Sequence, residues 1–172
     1  MNKGYIHVYT GNGKGKTTAS LGLALRAAGA GKKIYIAQFV KSMEYNEWKS
    51  LKYLDNFITI KLYGKGCFIT KNPTLEDIQE AKIGVEKIKS IFKSNVYDVV
   101  ILDEITIALF YNLLSLDEVL SLINEKPYNI ELIITGRYAP KEILNKADLV
   151  TEMKEVKHYY TQGVLSREGI DK

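Results

Sequence analysis

Hydrophobic residues recur along the chain with two different spacings, which predicts an alternation of strands and helices. Short runs rich in β-branched and aromatic residues predict five strands, at residues 5–9, 33–39, 57–62, 96–102 and 130–135. Stretches with helical spacing between them predict four helices, at residues 16–28, 74–92, 115–124 and 140–146. Thr74, with Asp77 three residues later, is typical of a helix start.

Two of the predicted strands are almost continuously apolar, over residues 99–102 and 132–134. This pattern is typical of parallel strands covered on both faces, so we expect these two strands in the centre of the sheet. The alternation as a whole predicts an α/β fold with a mainly parallel β-sheet and helices on both faces. Ligands of such folds bind at the carboxyl ends of the strands, so we expect the functional residues in the loops there.

Composition and charge narrow the class of protein. The 172 residues predict a single domain that spans residues 1–172. One cysteine, Cys67, excludes an intrachain disulfide, and the first residues lack a secretory signal, so we expect a cytoplasmic protein. No apolar run approaches the ~18–20 residues that span a bilayer, so we expect no membrane partner. A net charge of +4 suits a phosphate-rich small molecule and is too small to indicate a nucleic-acid surface.

A glycine-rich segment between the first predicted strand and the first predicted helix is the main candidate for chemistry. Residues 10–18 read Thr-Gly-Asn-Gly-Lys-Gly-Lys-Thr-Thr, which predicts a phosphate-binding loop (P-loop) and a P-loop NTPase-like fold. An ordinary glycine-rich turn is the alternative, but three alternating glycines followed by Lys-Thr-Thr exceed what a turn needs. Thr10 stands where the usual pattern has glycine. The candidate ATP-binding residues are Gly11, Asn12, Gly13, Lys14, Gly15, Lys16, Thr17 and Thr18.

Within this loop, two side chains have specific expected roles. The Lys16 ammonium can reach the outer phosphates of a nucleotide, and the Thr17 hydroxyl can bind Mg²⁺. Two carboxylates, Asp103 and Glu104, follow an apolar strand and are candidates to hold the same metal. A solvated strand end is the alternative for these acids, and which of the two binds the metal directly stays open.

Arginines and two further segments complete the candidate site. Arg137 follows the strand at residues 130–135 and is expected at the same sheet edge, where it can contact phosphate. Arg26 in the first helix is either a second phosphate contact or part of a solvent-facing salt bridge. Residues 64–73 form the most conspicuous other loop, and residues 155–172 are either a disordered tail or a strap that covers the site.

Taken in order from Gly4 to Lys172, these motifs resemble one family. The threonine-led P-loop, the Gln-Phe-Val-Lys segment at residues 38–41 and the terminal Gly-Ile-Asp at residues 169–171 are its most specific features. The chain resembles the bacterial corrinoid adenosyltransferases of the P-loop type. Without this resemblance, the same residues suit a P-loop ATPase, in which Glu104 orients water, or a small-molecule kinase.

The resemblance implies a reaction in which the 5′-deoxyadenosyl group of ATP is transferred to the cobalt of a reduced Co(I) corrinoid and triphosphate is released. It implies that the P-loop binds the triphosphate, and that Lys16, Thr17 and Glu104 are the catalytic residues. Thr17 and Glu104 are then the expected Mg²⁺ ligands, with Asp103 beside them, and Arg26 and Arg137 contact phosphate.

On the corrinoid side, the family uses an aromatic pair that closes over the lower face of the corrin. Only Phe68 is aromatic in the corresponding stretch of this chain, where the expected tryptophan is absent. Phe68 is therefore the candidate corrinoid-binding residue. The resemblance also implies a homodimer and an electron donor such as flavodoxin or ferredoxin.

Overall fold

The structure, a computed structural model, describes residues 2–41, 43–65 and 73–171. These residues form one six-stranded sheet. The strands are β1 (Ile6–Thr10), β2 (Ile34–Phe39), β3 (Ile58–Tyr63), β4 (Val99–Asp103), β5 (Glu131–Thr135) and β6 (Leu149–Glu152). Their order across the sheet is β3-β2-β4-β5-β1-β6, and every neighbouring pair is parallel. The register places Gln38 of β2 beside Asp103 of β4.

Helices connect the strands and cover the sheet. They are α1 (Lys16–Gly29), α2 (Asn46–Leu51), α3 (Leu75–Ser94), α4 (Ile105–Phe110), α5 (Leu116–Asn124) and α6 (Lys141–Lys146). Short 3₁₀ turns lie at Lys52–Leu54 and Tyr159–Gln162. Thr74 and Ser115 each begin a helix with a reciprocal capping box, formed with Asp77 and Glu118 respectively. None of the helices in the described ranges is long and apolar enough to cross a membrane.

Two hydrophobic cores, one on each face of the sheet, confirm the predicted α/β fold. Residues of α1 and Leu51, the last residue of α2, pack on one face with Ile36, Ile101 and Ile133. The larger core lies on the other face, where α3, α4, α5 and α6 pack against residues such as Leu102. The two most apolar strands, β4 and β5, lie in the centre of the sheet as expected, and all five residues of β4 are buried.

Three elements of the structure, β6, α2 and α4, were not predicted from the sequence, and one predicted strand begins later than expected. Strand β6 has four residues that are all exposed at the sheet edge, so burial imposes no alternation on its sequence. Helices α2 and α4 have six residues each, and Tyr45 and Glu104, which precede them, are not typical helix-start residues. Helix α6 is as short, but Pro140 precedes it. The predicted strand at residues 96–102 begins only at Val99, since the Asp98 carboxylate accepts the Lys33 amide just before it.

Each of the four inner strands is followed at once by a residue with positive φ. These residues are Gly11 after β1, Val40 after β2, Glu104 after β4 and Gly136 after β5, with φ of 96°, 65°, 60° and 137°. A positive φ is costly for a β-branched residue such as Val40, and it turns the chain sharply at the strand end. All four turns lie at the carboxyl edge of the sheet, where the candidate site residues are.

Candidate nucleotide-binding site

The P-loop connects β1 to α1, and its glycines are required by close backbone packing. The Gly13 amide donates to the Met153 carbonyl over 2.7 Å, and the Met153 amide donates to the Thr10 carbonyl over 2.8 Å. A Cβ atom would lie 2.5 Å from the Met153 carbonyl oxygen at Gly11 and 2.7 Å from it at Gly13. Gly15 instead needs its glycine for a φ of 115° directly before α1.

This packing explains the displaced glycine of the loop. Thr10 is the last residue of β1 and pairs with Glu152 of β6, so the position is part of the sheet and not of the turn. The permissive residues are needed one and three positions later, where the chain that follows β6 runs against the loop. Met153 was not found from the sequence, because no pattern marks the short edge strand that leads to it.

Lys16 lies inside the curve of the P-loop. Its ammonium donates to the carbonyl oxygens of Gly11 and Gly13, each over 2.7 Å, and the residue is only 6% exposed. Burial lowers the pKa of Lys16, while the Glu104 carboxylate acts in the opposite direction. The side chain is thus held at the loop by two carbonyl acceptors that phosphate oxygens can replace.

Asp103 lies beneath the loop and binds four donors. Its Oδ1 accepts the hydroxyls of Thr17 (2.9 Å) and Thr135 (2.7 Å), and its Oδ2 accepts Lys41 Nζ (2.8 Å) and Gln38 Nε2 (3.1 Å). Burial disfavours the charged carboxylate, but the Lys41 ammonium and the hydroxyl donors outweigh it and hold the pKa of Asp103 below its usual range. Burial also opposes the charge on Lys41, and Asp103 outweighs it, so the pKa of Lys41 is raised. Asp103 is therefore an ionised anchor whose oxygens are already occupied by protein donors.

Glu104 follows the last residue of β4 and lines the cavity beside the P-loop. Its left-handed backbone turns the chain away from β4, and its amide donates to the Thr135 hydroxyl over 3.0 Å. Burial and the neighbouring Asp103 charge raise the pKa of the Glu104 carboxyl. Arg137 follows the turn at Gly136, where a Cβ atom would lie 2.2 Å from the Thr106 hydroxyl oxygen.

A cavity of about 830 Å³ lies between Lys16, Glu104 and Arg137. This volume is within the range of small-ligand and cofactor sites. The P-loop and the start of α1 form one wall, and the chain around α2 forms another. Its lining comprises residues 13–18, Leu21, Lys41, 45–47, Ser50, Glu104, Arg137, His158 and 169–171.

The C-terminal segment closes one side of this cavity through Lys14. The Lys14 ammonium contacts the Asp171 carboxylate, the Tyr159 hydroxyl (2.8 Å) and the Ile170 carbonyl (3.0 Å). The Arg167 amide also donates to the Asp171 carboxylate, over 3.0 Å. Lys14 and then Tyr159 are the main groups that lower the pKa of Asp171. The last described residues are thus held against the P-loop by a network centred on one carboxylate.

The structure brings most of the expected residues to the cavity. Gly13, Lys14, Gly15, Lys16, Thr17, Thr18, Glu104 and Arg137 line it. Gly11 and Asn12 lie in the loop but not in the lining, and Asp103 lies below it. Arg26 is in the last turn of α1, ten residues or about 15 Å along the helix from Lys16, and the structure does not bring it to the cavity. Phe68 lies outside the described residues.

The wall formed by Tyr45, Asn46 and Glu47 was not found from the sequence. A signal for this region is Gln38, which is fully buried in a strand of otherwise apolar residues. A buried carboxamide needs partners for both ends, and these turn out to be Asp103 and Trp48 of α2.

The chemistry of the lining fits a nucleotide-bound magnesium ion. Mg²⁺ prefers oxygen ligands and commonly takes only one or two from the protein, the rest coming from phosphates and water. Thr17 and Glu104 supply such oxygens to the cavity. In the described part of the chain, no group of three or more His, Cys, Asp or Glu side chains could hold a metal ion alone.

The parallel sheet and the loop that holds Lys16 and Thr17 before α1 place the protein in the class of P-loop nucleotide-binding proteins. The family model of ATP:corrinoid adenosyltransferase BtuR/CobO/CobP matches residues 2–171. The chain belongs to this family, which confirms the resemblance drawn from its motifs.

Curated relatives match over nearly the whole chain. The corrinoid adenosyltransferase of Escherichia coli strain K12 is 37% identical over 169 residues, covering 98% of this chain and 86% of the relative. Corrinoid adenosyltransferase CobA of Salmonella typhimurium strain LT2 is 38% identical over 170 residues, with the same coverage of 98% and 86%. The corrinoid adenosyltransferase of a Sinorhizobium species is 33% identical over 172 residues, covering 98% and 80%.

Proposed function

We propose that the protein transfers the 5′-deoxyadenosyl group of ATP to the cobalt of a Co(I) corrinoid in the synthesis or salvage of adenosylcobalamin. The main support is the cavity in which P-loop residues, Glu104 and Arg137 meet in a chain of this family. In this reaction the Co(I) centre of the substrate attacks the ribose C5′. The cobalt–carbon bond forms, the C5′–oxygen bond breaks, and triphosphate leaves with the electron pair of that bond.

This reaction asks the protein for alignment and charge stabilisation, because Co(I) is itself a strong nucleophile. The P-loop amides and the positive end of α1 hold the triphosphate, and Lys16 and Arg137 stabilise the charge that develops as it leaves. When ATP binds, the Lys16 ammonium exchanges the Gly11 and Gly13 carbonyls for phosphate oxygens. Burial of this lysine strengthens its interaction with phosphate, since the local dielectric is low.

Thr17 and Glu104 are the proposed ligands of magnesium. The ion, when bound, neutralises negative charge on the departing triphosphate. The Thr17 hydroxyl donates its hydrogen to Asp103, so its lone pairs are left for the cavity. Asp103 itself, with two donors on each oxygen, acts by orienting Thr17 and not as a direct ligand.

The remaining partners follow from the substrate. Formation of the Co(I) corrinoid from its Co(II) form consumes one electron, for which flavodoxin or ferredoxin are the proposed donors. Phe68 is the proposed aromatic contact to the corrin, and a homodimer is the proposed assembly; both rest on the family resemblance of the motifs. Sedimentation equilibrium of the purified chain tests the assembly.

A transfer assay tests the proposed activity. The protein is supplied with ATP, Mg²⁺ and a corrinoid kept chemically as Co(I), and the adenosylated corrinoid is followed by its absorption spectrum. With the unmodified protein we expect the Co(I) absorption bands to disappear as the product forms. Lys16→Ala should lower the rate of this change by on the order of 10²-fold or more, which is the typical effect of removing one group that stabilises a developing anion. A protein that consumes ATP without forming a cobalt–carbon bond would instead be a P-loop ATPase or kinase.

We also propose that residues 155–171 form a strap over the nucleotide-binding site. The Asp171 carboxylate lines the cavity and binds Lys14, a P-loop cation that the triphosphate would otherwise attract. ATP therefore competes with Asp171 for Lys14, and the strap opens when nucleotide binds.

Replacing Asp171 tests the strap. Asp171→Asn removes both the competition for Lys14 and a negative charge beside the triphosphate, so we expect ATP to bind on the order of two- to fivefold more tightly, a range typical of one exposed ion pair. Glu168→Gln is the matched control, because Glu168 is an exposed residue of the same segment. The affinity of this control variant for ATP should stay unchanged. Equal or weaker ATP binding by Asp171→Asn in a calorimetric titration would contradict competition by the strap.

A further inference from the structure

Trp48 of α2 contacts the site indirectly, through a buried glutamine. Its indole Nε1 donates to Gln38 Oε1 over 2.7 Å, and Gln38 Nε2 donates to Asp103 Oδ2 over 3.1 Å. Gln38 is fully buried in β2, and neither it nor Trp48 belongs to the described lining of the cavity. The two bonds link α2 to the carboxylate that holds the Thr17 hydroxyl.

The indole fixes which end of the Gln38 carboxamide faces Asp103. A carboxamide has an acceptor and a donor end of almost equal size, so its shape alone does not set its orientation. An indole N–H only donates, and an ionised carboxylate only accepts. In the reversed orientation, the amide NH₂ would oppose the indole N–H and the amide oxygen would oppose the carboxylate.

A correct orientation of Gln38 determines how Asp103 meets Thr17. Gln38 and Lys41 hold Oδ2 of Asp103, which leaves Oδ1 to accept the Thr17 hydroxyl hydrogen. That hydrogen bond directs the oxygen lone pairs of Thr17 to the cavity. A reversed Gln38 would push the carboxylate away and release the hydroxyl to other rotamers.

We propose that Trp48 is a positioning residue for metal-assisted nucleotide binding, acting through Gln38 and Asp103 on the Thr17 hydroxyl. The proposal rests on the proposed role of Thr17 as a Mg²⁺ ligand. Helix α2 also places Asn46, Glu47 and Ser50 in the cavity lining, so the same helix contacts the nucleotide site and the carboxylate beneath it.

The experiment measures ATP binding by equilibrium dialysis, without corrinoid, over a series of Mg²⁺ concentrations and in EDTA. Trp48→Phe keeps an aromatic ring and removes the N–H donor. We expect it to raise the Mg²⁺ concentration for half-maximal ATP binding by about tenfold, the lower end of the effect of losing a group that orients a metal ligand. Binding in EDTA should be unchanged. Tyr53→Phe is the control, because Tyr53 lies next to α2 and is 90% exposed.

Different failures of this experiment have different meanings. If ATP binding by the unmodified protein does not depend on Mg²⁺, the proposed metal site is wrong. If it does depend on Mg²⁺ and Trp48→Phe leaves that dependence unchanged, or weakens binding equally in EDTA, the positioning role is wrong. In a Gln38→Met background, Trp48→Phe should have no further effect on the Mg²⁺ midpoint, and an additive effect would contradict action through Gln38.

A measurement on the unmodified protein covers the case in which the variants do not fold. Trp48 is the single tryptophan of the sequence, so intrinsic tryptophan emission reports the surroundings of this side chain. Adding Mg²⁺ to the ATP complex should shift the emission relative to ATP in EDTA. A Thr17 oxygen that bound the ion would alter the hydrogen bond from Thr17 to Asp103 and, through Gln38, the surroundings of the indole. An emission spectrum that does not respond to Mg²⁺ would overturn the proposal.

Discussion

Replacing Lys41 by methionine removes the cation that balances a buried carboxylate. Asp103 is 1% exposed, and the Lys41 side chain is 18% exposed, with 2.8 Å between Nζ and Oδ2. At an effective dielectric constant of 20, two unit charges at this distance attract by about 6 kcal/mol. Burial of the ammonium offsets part of this attraction, so we expect Lys41→Met to lower the free energy of unfolding by about 3–5 kcal/mol at pH 7.

The loss should depend on pH in a defined direction. In the unmodified protein the pKa of Asp103 is below its usual value, so its stabilising effect is present above the unfolded pKa of about 3.9 and is lost as pH falls through the folded pKa. Without Lys41, burial is the dominant influence and raises the pKa of Asp103 above its usual value. Above the unfolded pKa of Asp103, the unfolded variant gives up this proton more readily than the folded one, so the free energy of unfolding of the variant falls as pH rises. The difference in stability between the two proteins is therefore largest at neutral pH and shrinks near pH 4.

Urea denaturation at pH 7 and pH 4.5 measures both effects. Lys52→Met is the matched control, since Lys52 and Glu44 form an ion pair of 3.4 Å with side chains 67% and 53% exposed. This control should cost about 0–1 kcal/mol. A loss below 1 kcal/mol for Lys41→Met, or a loss that does not shrink on acidification, would refute the buried ion pair as the anchor of the site.

Two further predictions, each with a matched second variant, concern the packing of the loop and the start of a helix. Gly13→Ala should destabilise the fold by about 1–3 kcal/mol and weaken ATP binding, because the new Cβ would meet the Met153 and Lys154 backbone within 2.9 Å. Gly22→Ala in α1, where a Cβ would have nothing within 4 Å, should stabilise the fold by about 1 kcal/mol. A change in unfolding temperature of the same sign for both variants would contradict the close approach at Gly13. Ser115→Ala removes the capping box of α5 and should cost about 1 kcal/mol in urea denaturation, whereas Ser115→Asp should retain most of the stability. Equal losses for the two Ser115 variants would argue against the cap.

The elements that could be predicted from the sequence are those whose burial imposes a pattern. Strands β4 and β5 are covered on both faces, so their apolar runs identified them and placed them in the sheet centre. The 20 residues of α3 give helical spacing room to repeat, and Thr74 marks its start. Strand β6 has no buried face and leaves no such pattern.

The candidate site was predictable where one local motif contains the chemistry. The loop around Lys16 and the two acids at the end of β4 are such motifs. Lys16 and Glu104 line one cavity, and Asp103 lies beneath it. Contacts between distant segments left no local signal. Met153 follows β6, which lies beside β1 in the sheet but more than 130 residues later in the chain, and it packs against the P-loop. Trp48 is linked to Asp103 through Gln38. Tertiary structure alone brings these segments together.

The identity of the phosphate product tests the proposed reaction most directly. The protein is incubated with ATP, Mg²⁺ and a Co(I) corrinoid, and the products are quantified by phosphorus NMR beside the absorption spectrum of the corrinoid. Attack at C5′ with the triphosphate as leaving group predicts one inorganic triphosphate for each cobalt–carbon bond formed. Orthophosphate with ADP, released without consumption of the corrinoid, would contradict adenosyl transfer and indicate hydrolysis at the γ-phosphate.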